Sequence, residues 1–188
     1  MKSALKIIIL LFLVLPSFCL AREDLRTYYN NIESPTVWIN PKKIKIYVYP
    51  DETKEYILHN SIKAWDSGLK SDLNFKYVKN PTEADIVIKY VNNLDGKQAG
   101  VARSNPVTIQ GKKYHRKVLV EIGKYTSDGF KLTDVQLNET ALHEMGHAIG
   151  ILGHSDNPAD IMYPQLSRWG NTTLSTKDIE TVKKLYGF

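Results

Sequence analysis

Cysteine is nearly absent from this sequence: its 188 residues hold one, Cys19. A single thiol cannot close a disulfide within the chain, so a disulfide-framed fold is excluded and stability has to come from a packed core or from bound ligands. Long apolar runs are missing as well. The longest, Ile7 to Leu15, breaks at Pro16 and falls short of the roughly 17–25 residues a transmembrane helix needs. No internal repeat or low-complexity tract occurs. Neither sign of charge dominates, with 25 Lys and Arg against 20 Asp and Glu. Most of the cations are scattered, which gives no reason to expect nucleic-acid binding. The one basic cluster, Lys112 to Lys117, reads as an exposed hairpin tip between strands at Val107–Ile109 and Lys117–Ile122.

The N-terminus has a clear pattern. Lys2 and Lys6 precede the apolar run, and Cys19-Leu20-Ala21 ends it with small residues, so residues 1–21 read as a secretory signal peptide cleaved after Ala21. Removing Lys2 and Lys6, with no acid in the segment, would lower the formal charge from +5 to +3. The expectation is an extracytoplasmic protein, secreted or periplasmic, monomeric and with no membrane span after cleavage. Residues 22–35 are polar and read as a linker or short pro-region, leaving 36–188 as one domain.

Along that domain, Ile44 to Tyr49 alternates as a strand. Asp51 is placed to cap a helix whose stripe is Leu58, Ile62, Trp65 and Leu69. His59, beside the stripe, reads as a partly exposed helix histidine. Asn74–Val78 and the apolar Ala84–Val91 are further strands, the second central in a sheet. Asn92 to Gly96 offers oxygen atoms that could hold Ca2+, but turn chemistry alone accounts for them. Gly100–Arg103 reads as a short edge strand limited by Pro106. Thr133 with Gln136, and Ser175 with Asp178, are capping boxes that open two later helices. This order indicates an α+β domain.

Three of the five histidines fall within one stretch, His143 to Ser155. On a helix His143 and His147 share a face, with Cβ atoms about 5–6 Å apart, so both imidazoles can grip one Zn2+. Glu144 is placed to hold and deprotonate a water rather than to bind the metal. Gly150 can end the helix and turn the chain back, and His154 then returns as a third ligand. Val135, Leu137, Ala141, Leu142, Met145, Ala148 and Ile149 surround the helix with apolar surface, so it is expected to be buried. Two histidines and a glutamate on a buried helix need a partner to offset their desolvation, and a metal supplies one.

With the downstream Ile161-Met162-Tyr163-Pro164, the pattern His143-Glu144-x-x-His147-x-x-Gly150 resembles the metzincins and, within them, the matrixins. The resemblance extends over residues 44–188. It implies a zincin-like fold, a mixed twisted sheet with a site helix and a C-terminal helix, and a zinc metalloendopeptidase acting on protein or peptide substrates, with one catalytic zinc and Met162 as a hydrophobic floor below it. An extended peptide would add to the Gly100–Arg103 edge. Three departures stand out. The family's third histidine comes six residues after the second, whereas position 153 is glycine here and His154 comes seven after; Gly153 would absorb the extra residue, with Asp156 as the alternative ligand. The tyrosine that commonly walls the S1′ pocket is replaced by Leu166. His115 alone stands where many matrixins hold a second zinc, and one ligand cannot make that site. With Cys19 in the signal segment, no pro-segment thiolate could cap the zinc. Two other readings remain: a hydrolase whose third ligand is a glutamate such as Glu180, and a secreted binding protein with a purely structural zinc. A structural site has no need of Glu144.

Overall fold

Five strands lie side by side in the order β3-β2-β4-β6-β5, with a short sixth, β1, beside β6. They are β1 (Thr36–Val37), β2 (Ile44–Val48), β3 (Phe75–Tyr77), β4 (Ile86–Val91), β5 (Gly100–Ile109) and β6 (Lys112–Gly123). The computed structural model describes residues 35–70 and 72–188. The expected signal peptide and nearly all of the expected linker lie outside the described residues. β4 sits centrally between β2 and β6, parallel to both. Its Ile86, Val87 and Ile88 are at most 5% exposed, the signature of a strand covered on both faces.

β5 is the antiparallel edge, paired along its length with β6. The turn between them is Gln110–Gly111, with φ of 50° and 78°, the left-handed pair that a two-residue hairpin turn demands. The basic cluster is therefore not the tip: Lys112 to Lys117 lie within β6. Nor does Pro106 end the edge strand. The ladder shifts register between Ser104 and Pro106, where β6 advances from Val118 to His115, three residues against two. A bulge is one of the few places a strand accepts proline, which has no N–H to give. The extra residue leaves Arg116 and Lys117 both exposed and lets His115 and Val118, three apart, both point inward.

Three helices complete an α+β arrangement: α1 (Glu55–Leu69), α2 (Asp134–Ala148) and α3 (Thr176–Tyr186). The α1 stripe of Leu58, Ile62, Trp65 and Leu69 is at most 2% exposed, each side chain contributing roughly 1.5–3 kcal/mol through burial. Asp51 does not cap α1. It accepts the N–H groups of Thr53 and Lys54, closing the turn before the helix, whose N-cap Lys54 makes no side-chain cap bond. His59 is partly exposed and bonded to Glu55, as its place on the helix suggested.

α2 is tied at its middle and at its C-terminal end. Trp65 donates its Nε1–H to the Leu142 carbonyl at 2.9 Å, joining α1 to α2. At the C-terminal end Trp38 Nε1–H reaches the Ala148 carbonyl at 3.0 Å and the Tyr186 hydroxyl reaches the Ile149 carbonyl at 2.9 Å. Carbonyls at a helix end lack intrahelical donors, and these two rings supply them. None of the described helices is long and apolar enough to cross a membrane.

Candidate metal and catalytic centre

The capping box at the start of α2 forms as its sequence predicts, with Thr133 and Gln136 exchanging bonds of 3.3 and 3.1 Å. From there Leu137, Ala141, Leu142, Met145 and Ala148 are buried, whereas Val135, expected inside, is 43% exposed. His143 and His147 lie on one face. Each ring is oriented from behind: His143 Nδ1–H donates to the Ile161 carbonyl at 2.8 Å and His147 Nδ1–H to the Ile151 carbonyl at 2.6 Å. Those carbonyls fix the tautomer and leave both Nε2 atoms as acceptors.

The two Nε2 atoms stand 3.1 Å apart. The chain ends α2 at Ala148, turns through Gly150 at φ 116°, and brings the His154 ring to 5.1 Å from His143 and 5.0 Å from His147, centroid to centroid. One ligand atom from each of the three lies within 4.8 Å of the others, the one such metal-capable group among the described residues. Burial pushes His143 down to about 3 and His147 to about 4, and lowers His154 as well. Neutral imidazoles with facing lone pairs repel unless a cation sits between them. The donor set therefore fits a metal ion, and three neutral nitrogens suit zinc. Asp156 is exposed and outside this group. The left-handed turn in this loop falls at Gly150, and Gly153 is not among the residues of positive φ.

Glu144 is 6% exposed, and burial pushes its carboxyl up to about 8 against the opposing Ala102 backbone hydrogen bond. β5 reaches it because Gly100 has no side chain: a Cβ there would stand 2.6 Å from both Glu144 Cγ and Thr140 Cγ2. β5 thus forms one wall of a cavity of about 760 Å3 that holds His143, Glu144, His147 and His154, with Leu166 on the far side.

Below the histidines Met162 is fully buried. Its sulfur lies where a Cβ on Gly146 would be, with Trp65 close by, so glycine at 146 is what lets the methionine sit under α2. Asp178 positions that methionine. Besides capping α3, its carboxylate accepts the N–H groups of Ile161 at 3.1 Å and Met162 at 3.4 Å. The sequence marks Asp178 only as a helix cap, places Gly100 only at the start of an edge strand, and gives no sign of what the missing side chains of Gly100 and Gly146 permit. The capping box was a signal for the first; no local pattern marks the other two. His115 is buried against Trp38 and Ser104 and belongs to no metal-capable group among the described residues.

A family model described as Matrixin matches residues 37–187. Among curated relatives, the macrophage metalloelastase of Rattus norvegicus is 30% identical over 159 residues, 76% of this chain and 32% of its own length. Metalloendoproteinase 1 of Glycine max is 44% identical over a shorter stretch, 27% of this chain and 17% of that protein. The solved structure of myroilysin aligns with a TM-score of 0.49 at 15% identity, covering 80% of this chain and 82% of that one. This chain spans about a third of the length of the first curated relatives it matches.

Proposed function

The chain belongs to the matrixin family, whose members are zinc metalloendopeptidases, and from that premise we propose that it is an exported zinc-dependent endopeptidase in which Glu144 is the general base. The observation that carries this reading is the convergence of three neutral imidazoles within 4.8 Å beside a buried carboxyl in one open cleft. His143, His147 and His154 would hold the zinc, which when bound supplies Lewis-acid activation of water and of the substrate carbonyl.

The protein's own groups do the rest. The Ile161 and Ile151 carbonyls keep the Nδ1 protons in place, so Nε2 of His143 and His147 stays available. Glu144, whose ionised form a cation held by the neighbouring histidines would favour, takes a proton from the attacking water and passes it to the leaving amine. The edge of β5 opposite β6 has no strand on it among the described residues, and an extended peptide can add there through main-chain hydrogen bonds. Lys2, Lys6, the run Ile7–Leu15 and the small residues through Ala21 support export to the periplasm or beyond. A purely structural zinc would have no use for a proton acceptor beside its ligands, so Glu144 weighs against the binding-protein alternative.

The test is zinc content and casein hydrolysis for wild type and Glu144→Ala. We expect about one zinc per chain in both and hydrolysis in the wild type alone; equal hydrolysis by both would remove Glu144 from the mechanism.

A further inference from the structure

Glu139 stands one helical turn before His143, so the two side chains share a face of α2, and both line the cavity. It is 7% exposed. Its oxygens accept the Ser167 N–H at 3.1 and 3.3 Å, and a backbone hydrogen bond from Asn171 adds to them. These neutral donors pin the segment after Pro164 against α2 and so hold up the cavity wall that carries Leu166.

Among the described residues no cation is paired with this carboxylate. It takes part in none of the ion pairs among the described residues, unlike Glu121, which meets both Lys89 and Arg103. A buried carboxylate without a counter-charge is costly, and neutral hydrogen bonds offset only part of that cost. The cavity that Glu139 lines includes the apolar side chains of Ile161, Pro164 and Leu166, together with polar Thr140 and Gln165 and, from the segment before β5, Lys97. Apolar walls beside a buried carboxylate that joins no ion pair among the described residues are complementary to a side chain with an apolar stem and a cationic head.

We propose that Glu139 is a specificity-determining residue that selects peptides carrying lysine or arginine beside the bond to be cut, the side chain entering this cavity. The proposal rests on the peptidase reading above. Lysine or arginine would lay its methylenes along Leu166 and Pro164 and place its charge on the oxygen edges that Ser167 and Asn171 leave open.

The experiment uses the full chain loaded with zinc. A peptide library is digested and cut sites are read by mass spectrometry, followed by kcat/KM for paired peptides differing only in Lys or Leu at the flanking position. The wild type should favour the basic peptide by roughly tenfold to a hundredfold, the worth of a charge-assisted hydrogen bond. In Glu139→Gln, which keeps an oxygen for the Ser167 N–H and removes the charge, the ratio should fall toward one. A wild type that cuts peptides without basic preference, or a Glu139→Gln ratio equal to the wild type's, overturns the proposal and leaves the peptidase reading standing. A wild type that cuts no peptide overturns both.

Discussion

At residue scale the question left by the sequence was which side chain completes the metal group, because Gly153 puts His154 one place later than the family pattern. The ring geometry favours His154, which stacks on His143 at 22° between planes while Asp156 stays outside the group. The fit comes from Gly150. A Cβ there would stand 2.8 Å from the Thr36 carbonyl, and its φ of 116° is one that a side chain resists. His154→Ala should therefore lose zinc in an equilibrium-dialysis assay and Asp156→Ala should keep it; the reverse pattern would move the ligand. His143, Glu144 and His147 were legible from the sequence because a helix repeats every 3.6 residues and fixes which side chains share a face. Gly100 and Gly146 were not. What they permit is the approach of β5 and of Met162, which come from elsewhere in the chain.

At the scale of elements the β5–β6 hairpin shows how strand reading fails. Alternation has a period of two, so a single bulge inverts every later residue, and the run from Lys112 to Lys117 then looks like a solvated tip. Within it His115 is buried, bonded to the Ser104 hydroxyl at 2.7 Å and packed on Trp38. Its Nε2 has no bond of ordinary geometry. Burial lowers its pKa to about 4, the Thr36 backbone opposing only part of the shift. In the unfolded chain the group titrates near its ordinary value, so between about pH 6.5 and 4 the unfolded state binds the proton more readily than the folded one. Stability is full above that window and is lost as pH falls through it, by about 3 kcal/mol across the whole interval. Urea titrations should show this loss in the wild type and a smaller one in His115→Gln. Identical pH profiles would mean that His115 takes up its proton as readily in the fold as in the unfolded chain.

At the scale of the whole molecule, stability and metal binding can be separated. The sheet and α1 close a core of Ile46, Ile86, Val120, Leu58 and Trp65 that runs on into Met145, Ile161 and Met162 beneath the centre but includes none of the three histidines. The centre joins α2 to the chain that follows it, and α3 holds that chain in place through Asp178. The order of strands and helices was readable because each buries an apolar face of its own period. The placement of the later chain was not, since it depends on a carboxylate reaching back from α3. Zinc that binds only the folded state should add stability by mass action, about 2.7 kcal/mol at a free concentration a hundred times its Kd. Because the core is complete without it, chelation should lower the melting temperature without unfolding the protein, in contrast to small domains that fold only around their metal. Hydrogen exchange should then quicken in residues 150–163, where few backbone bonds hold the chain, and stay slow in β4. A chelated protein that melts at the same temperature, or that loses protection in β4 as fast as in 150–163, would contradict this division between core and centre.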